Sequence, residues 1–262
     1  MTGLSDTYFT VGFIRDLVEL KLWYVWHLVK VQESSLADAL AWTSFSGKCA
    51  SPEDGDGPHG AGEWDRLRGA LEELLEAHGP CSDPFQESGM DLLWPHIEPG
   101  IAERTAVLDR RWEQGVVGCI RYEYPAVKGK ADPGDSVIIH FRNTMRPESP
   151  FSHRRLLIES LQEIIARTGQ THPHVSQVQM GSWLNSFPPF LSLFPEAWDA
   201  SGLMGGPGGH MGWWGQFMDR TGGLHARHAR MFKTRGAFPF RARSCRCSIE
   251  LLEGHLQCIL GA

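Results

Sequence analysis

The hydrophobic and polar positions of the first 115 residues follow a helical period. Residues 11–31 are apolar on nearly every face, and leucines recur at helical spacing in residues 64–78 before a Gly-Pro stop. Charged residues interrupt the first stretch too often for a membrane span, so a buried helix is favoured. Shorter helices are predicted at residues 35–45 and 101–114. We therefore predict a helical N-terminal domain over residues 1–115.

The pattern changes near Gly115, where short apolar runs alternate with helical segments. Strands are predicted at residues 116–124, 136–143, 175–185 and 211–217. A helix over residues 153–168 and a proline-started helix ending near Trp198 separate the later strands. This order is typical of an α/β (α+β) protein. We expect a mixed-sheet domain over residues 116–262, with the helical N-terminal domain packed on it.

Polar and aromatic side chains concentrate in or just after these strands. In open α/β sheets, ligands bind beyond the carboxyl ends of the strands. We therefore expect one shared crevice, lined by His140, Arg142, Asn143, Ser182, Trp183, Asn185, Trp213, Trp214 and Gln216.

Composition and charge narrow the class of protein. Of 262 residues, 42% are hydrophobic and 21% are charged, as in folded soluble proteins. The six cysteines show no CxxC spacing and no secretory leader is recognisable, so a reduced cytoplasmic protein is expected. A sequence pI of about 6.0 and the lack of a recognised motif argue against nucleic-acid binding.

The net charge of −6 conceals a basic segment near the C-terminus. Residues 220–247 contain many arginines and no Asp or Glu, whereas residues 51–115 are rich in acids. The basic segment is either a solvated face that docks on the acidic half or a surface for an anionic partner.

Two short motifs resemble a known group of proteins. Ile139-His140 ends one predicted strand, and Ser182-Trp183-Leu184-Asn185 ends the next. Residues 116–240 thereby resemble uncharacterised bacterial proteins that join a helical N-terminal domain to a C-terminal domain similar to the GNAT N-acyltransferases. The resemblance implies a transferase that moves an acyl group from acyl-CoA or an acyl-carrier thioester to a small amine or hydroxyl acceptor, as in specialised biosynthesis.

One loop departs from the pattern of typical GNAT enzymes. Those enzymes hold the pyrophosphate of acyl-CoA with the backbone amides of a glycine-rich loop at a helix N-terminus. The corresponding residues 144–152 contain no glycine. The phosphates, or the acidic face of a carrier protein, would then be contacted by arginines, namely Arg146, Arg220, Arg227 and Arg230.

The resemblance and the chemistry of the side chains suggest individual roles. His140 is the candidate general base, because an imidazole titrates near neutrality; alternatively, it fixes the adjacent loop. Asn143 and Gln216 would orient or polarise the carbonyl, unless their amides serve turns and caps. Ser182 lacks the context of a nucleophile elbow and is assigned with the tryptophans to the substrate pocket.

Two other functions remain open. A histidine-ligated metalloenzyme, either a non-haem oxygenase or a hydrolase, would use His140, His210, His225 and His228, although no HExxH motif or completing carboxylate is visible. We therefore favour a function that does not use a bound metal. A non-catalytic small-molecule binding domain is the third alternative, since a fold does not fix a function. Cys245 and Cys247 lie among arginines, but we predict ordinary thiols.

Overall fold

The computed structural model describes residues 8–46, 58–125 and 134–261, with the backbone alone for residues 58–61. The chain divides into two compact units. The helical unit contains Met1–Asp109 and Pro207–Pro239, and the sheet unit contains Arg110–Gly206 and Phe240–Ala262. This division differs from the predicted boundary at residue 115, because Pro207–Pro239 belongs with the N-terminal helices.

The secondary structure is mostly helical, with short strands that pair in one sheet. The helices are α1 (Val11–Lys30), α2 (Leu36–Leu40), α3 (Pro58–His78), α4 (Ser82–Ile97), α5 (Ile101–Trp112), α6 (Arg154–Thr171), α7 (Pro188–Leu191), α8 (Glu196–Ala200), α9 (Met211–Trp214), α10 (Ala226–Arg235) and α11 (Ile249–Leu260). The strands are β1 (Val116–Val117), β2 (Ile120–Glu123), β3 (Ser136–Phe141), β4 (Gln177–Ser182), β5 (Leu203–Met204) and β6 (Arg243–Ser248). Short 3-10 turns occupy Glu98–Gly100, Pro150–His153, Trp183–Ser186 and Gly215–Phe217.

The helical unit is built around α1. The side chain of Thr10 accepts a hydrogen bond from the backbone N–H of Phe13 and so caps this helix. Helices α2, α4 and α10 all pack on α1, which explains why it is apolar on nearly every face. The predicted buried helix is confirmed. No helix in the described ranges combines the length and apolarity needed to cross a membrane.

The prediction of a strand at residues 211–217 is wrong. These residues form α9 and a 3-10 turn, which begin where the ring of His210 accepts a hydrogen bond from the backbone N–H of Gly212. Trp213 and Trp214 are both buried in the helical unit, beside the rings of Tyr24, Trp42, Phe217, Phe232 and Phe238. Local sequence could not distinguish this buried helical turn from a buried strand, because both are continuous apolar runs.

The sheet unit contains a mixed six-stranded sheet of order β1-β2-β3-β4-β6-β5. Strands β3 and β4 are parallel and joined by α6, and the other neighbouring strands pair antiparallel. The predicted mixture of helices and a mixed sheet is confirmed. The predicted strand over residues 116–124 is in fact β1 and β2, separated by a turn in which Gly118 has a φ of +57°.

The two faces of this sheet differ sharply in polarity. Helices α6 and α11 pack against each other, and their buried side chains share one hydrophobic cluster with the inward side chains of the strands. That face carries Ile120, Val137, Ile139, Val178, Met180, Cys245 and Cys247. The strand registers place the alternate residues on the other side, which we call the polar face: Arg121, Glu123, Ile138, His140, Gln177, Gln179, Gly181, Ser244, Arg246 and Ser248.

The parallel strands separate toward their carboxyl ends. Their ladder pairs Ser136 with Gln177, Val137 with Val178 and Ile138 with Gln179. Both strands continue past this ladder, over residues 139–141 and 180–182, where each is paired only with its outer neighbour. The sheet therefore opens between β3 and β4 at the edge where the sequence predicts a site.

Candidate functional site

His140 lies near the carboxyl end of β3 and projects onto the polar face of the sheet. Its Nε2 atom lies 2.9 Å from Oε1 of Glu123, and Nη1 of Arg121 lies 2.6 Å from the other oxygen of that carboxylate. The antiparallel register causes this meeting, because Arg121 pairs with His140 and Glu123 pairs with Ile138. The sequence-based site did not include Arg121 and Glu123, although both alternate with more apolar residues along β2.

The environment of this imidazole favours its neutral form. Burial lowers the pKa of His140, and the Arg121 guanidinium lowers it further, while the Glu123 carboxylate acts to raise it. The hydrogen bond from Arg121 lowers the pKa of Glu123, which therefore stays ionised. An ionised carboxylate only accepts hydrogen bonds, so Nε2 of His140 carries the proton and Nδ1 carries a lone pair. The side chain of His140 is 38% exposed.

Asn143 uses its amide within its own loop. Its Oδ1 atom accepts a hydrogen bond from the backbone N–H of Met145, and its Nδ2 atom donates to the carbonyl of Glu148, both at 2.9 Å. This geometry favours the turn alternative over the predicted role as a carbonyl polariser. The neighbouring Arg142 lies with its guanidinium 5.4 Å from the centroid of the Trp112 ring.

Ser182 and Asn185 serve the backbone at the end of β4. The hydroxyl of Ser182 accepts from the backbone N–H of Leu184. Asn185 is fully buried; its Nδ2 atom donates to the carbonyls of Met180 (2.7 Å) and Arg243 (2.8 Å). Its Oδ1 atom accepts from the indole of Trp198. These two predicted substrate-binding residues hold the end of β4 to its surroundings.

Trp183 belongs to a group of aromatic rings beside the carboxyl ends of β3 and β4. Its ring centroid lies 5.9 Å from that of Phe187 and 5.7 Å from that of Phe240. Phe187 in turn contacts Phe151, which stacks on Phe141 at the end of β3. Trp183 is partly buried and packs against the hydrophobic cluster of the sheet unit, so its role as an apolar wall for a substrate stays a prediction.

The remaining predicted site residues of the last strand lie in the helical unit. Gln216 is buried, and its Nε2 atom donates to the carbonyl of Trp213 at 2.8 Å. The indole of Trp214 donates to the carbonyl of Trp42 at 2.7 Å. The prediction of a crevice formed by three neighbouring strands is therefore wrong for the third strand, because residues 211–217 are helical.

The histidines proposed as metal ligands have structural partners. His210 and His225 each accept a backbone N–H at a helix start, and Nδ1 of His228 lies 2.7 Å from the carbonyl oxygen of Gln216. These three lie in the helical unit, whereas His140 lies in the sheet unit. Within residues 8–46, 58–125 and 134–261, no three His, Cys, Asp or Glu side chains converge as a metal site.

The last predicted residues are the arginines proposed to contact phosphates and the two cysteines that lie among arginines. Arg220, Arg227 and Arg230 are exposed in the helical unit, and Arg146 is half-buried before a cis proline. Burial raises the pKa of the Cys245 thiol and raises that of Cys247 to about 12, which is the opposite of activation.

No protein-family model matches this chain, and no curated protein or solved structure is significantly similar to it.

Proposed function

We propose that the sheet unit catalyses acyl transfer from a thioester, carried by CoA or a carrier protein, to a small amine or hydroxyl acceptor. The observation that carries this proposal is the His140–Glu123 pair, a neutral imidazole held by an ionised carboxylate on a partly exposed sheet face. A base that is itself oriented by a third group is the usual arrangement for activating a nucleophile.

The pair has one chemical task in this reaction. Nδ1 of His140 removes the proton from the acceptor as its nitrogen or oxygen attacks the thioester carbonyl. The C–S bond then breaks, the acyl group stays on the acceptor, and the thiolate leaves and takes up a proton. Glu123 stabilises the imidazolium formed in between, and Arg121 keeps Glu123 ionised.

The opening between β3 and β4 supports a thioester as the donor. Neither strand has a ladder partner on this side over residues 139–141 and 180–182. Free strand edges can hydrogen-bond an extended chain that carries amides, such as the pantetheine arm of CoA or of a carrier protein. The aromatic rings around Trp183 offer an apolar wall for the acyl chain. The mixed sheet agrees with the GNAT-like resemblance of the two strand-end motifs.

The general-base role is tested by thiol release from acetyl-CoA in the presence of a panel of primary amines and alcohols. We expect His140→Gln to lower the rate by about 10²–10⁴-fold, the usual contribution of a general base. The exposed His174 provides a matched control, and His174→Gln should keep the native rate. Full turnover by a folded His140→Gln protein would show that His140 is not the general base. Absence of thiol release with every acceptor would favour the alternative of a non-catalytic binding domain.

Arg146, in the loop that follows β3, is proposed to bind the phosphates of CoA in place of the missing glycine-rich loop. Arg146→Gln should therefore raise KM for acetyl-CoA but leave KM for acetyl-pantetheine unchanged, because that donor lacks the nucleotide. Equal effects on both donors would contradict a contact between Arg146 and the CoA phosphates.

A further inference from the structure

The polar face of the sheet has open space above Gly181, beyond the end of the β3–β4 ladder. Gly181 of β4 is exposed, and a Cβ atom built on it would meet no other atom within 4 Å. Gly181 follows Gln179 by two residues on β4 and His140 follows Ile138 by two residues on β3, so both lie on the polar face just past the last pair of the parallel ladder. A glycine inside a strand often marks a place where a ligand approaches the backbone closely.

Polar side chains surround this open space on the other strands. Ser244 pairs with Gly181, and Arg246 pairs with Gln179, so all three side chains share the face of His140. Ser244 and Arg246 are exposed. We call the area bounded by His140, Gln179, Gly181, Ser244 and Arg246 the Gly181 shelf.

Arg246 supplies the charge of this shelf. Its guanidinium makes no ion pair within the described part of the chain, whereas Arg121 is paired with Glu123 on the same face. The backbone N–H of Arg246 donates to the hydroxyl of Ser201, while the side chain extends as an exposed group. A single guanidinium beside one carboxamide suits a monoanion, and an arginine binds a carboxylate through two parallel hydrogen bonds.

We propose that the Gly181 shelf binds the acceptor substrate and that this acceptor is a small amino or hydroxy acid. Its carboxylate contacts Arg246 and Gln179, its body lies over Gly181, and its amine or hydroxyl reaches Nδ1 of His140. This inference rests on the proposed acyl transfer and names the substrate class of the same site.

The spacing of the sheet limits the size of the acceptor. Two strand spacings of about 4.8 Å and two residues of about 3.3 Å separate the Cα atoms of Arg246 and His140 by about 12 Å. An arginine side chain and an imidazole are together long enough to reach across most of this distance. We therefore infer an acceptor whose carboxylate and nucleophile are separated by a few bonds, as in β-alanine or lactate.

Binding is tested without turnover by following the imidazole resonances of histidine-labelled protein. The His140 signal is identified by its loss in His140→Gln. Titration with β-alanine or lactate should shift this signal saturably, whereas ethylamine and propylene glycol, which lack the carboxylate, should not shift it. The inference would be overturned if ethylamine and propylene glycol shifted the signal as much as the acids do, or if neither acid gave a saturable shift.

Three variants locate the binding site. Arg246→Gln should weaken the apparent affinity at least tenfold, while Arg155→Gln, the same charge change on α6, should alter it by less than twofold. Gly181→Val should abolish the shift and keep the native melting temperature, because the added side chain meets open space. Native affinity in Arg246→Gln would place the carboxylate elsewhere.

The two levels of the proposal fail in different ways. Saturable, Arg246-dependent binding without thiol release from any thioester would keep the shelf and contradict acyl transfer. Thiol release with acceptors that bind independently of Arg246 and Gly181 would keep the transfer and contradict the shelf.

Discussion

The helical unit and the polar face of the sheet use the same kinds of side chain for opposite purposes. In the helical unit, the rings of His210 and His225 begin helices, and the amide of Gln216 bonds the backbone. On the polar face, His140 bonds a carboxylate side chain and not the backbone, and the Arg246 guanidinium has no ion pair among the described residues. A polar side chain is available for chemistry only where the backbone does not need it.

Lys21 is a charged side chain of the helical unit that is buried and bonds the backbone. It is only 1% exposed, and its Nζ atom donates to the carbonyls of Thr43 (2.7 Å) and Gly209 (2.9 Å). It also lies 5.0 Å from the centroid of the Trp214 ring. This buried cation joins α1 to two distant turns, so its contribution is to folding.

The largest expected effect therefore comes from replacing the buried cation. Lys21→Met keeps the apolar stem but leaves two buried carbonyls without their donor, which should lower the free energy of unfolding by about 3 kcal/mol. Arg246→Met, which removes an exposed cation, should change it by less than about 0.5 kcal/mol. Urea denaturation measures both, with Lys30→Met at the exposed end of α1 as a control. Similar losses at Lys21 and Arg246 would invalidate the comparison.

A smaller effect is expected from the two amides of the sheet unit. Asn185→Ala removes three hydrogen bonds from a fully buried position and should cost about 2 kcal/mol of unfolding free energy. Gln179→Ala on the polar face should cost less than about 0.5 kcal/mol and should weaken binding of lactate or β-alanine instead. A stable Asn185→Ala protein with impaired binding would restore Asn185 to the substrate site.

The helix cap at His225 should contribute less to the free energy of unfolding than Lys21 or Asn185. Nδ1 of His225 accepts the backbone N–H of His228, so His225→Ala should lower the unfolding free energy by about 1 kcal/mol. Arg230→Ala, on the exposed face of the same helix, should change it by less than about 0.5 kcal/mol. Thermal unfolding of both variants checks the difference; no loss in His225→Ala would show that the ring is not needed for the cap.

The smallest expected effect is a displacement of the pH–rate profile. The pKa of His140 lies below its ordinary value of 6.5, so the rate of acyl transfer should rise with pH through a midpoint below 6.5 and then level off. Glu123→Gln removes a group that raises this pKa and should move the midpoint to lower pH. Arg121→Gln removes a group that lowers the pKa and should move the midpoint upward. An unchanged midpoint in both variants would mean that another group titrates.

The same pKa shifts predict the direction of acid denaturation. The folded chain binds protons at His140 and Glu123 less readily than the unfolded chain does. The contribution of His140 to stability is therefore complete above its ordinary pKa of 6.5 and decreases as the pH falls below that value. The contribution of Glu123 is complete above its ordinary pKa of 4.5 and decreases below that value. Urea midpoints measured across this range should decline toward acid pH.

Local sequence is sufficient for the elements whose pattern repeats. The predicted helix over residues 11–31 corresponds to α1, and the strand over residues 136–143 contains β3. Strand β6 is not predicted, because its arginines give the segment the composition of a charged surface. The alternation of Cys245 and Cys247 with polar neighbours is nevertheless the two-residue period of a half-buried strand, and it would have found Arg246 as well.

Three features follow from the order of residues along the chain: a helix-rich first part, a strand-helix-strand segment after residue 115 and a histidine at a strand end. These features depend on periodicity and capping within a few residues. The contacts between distant segments could not be predicted in this way: Glu123 meets His140, Arg246 shares its face, and the amides of Asn185 and Gln216 bond backbone carbonyls. The reason is that strand register and burial depend on residues far apart in the chain, and they decide which polar atoms must bond the backbone and which can meet a ligand.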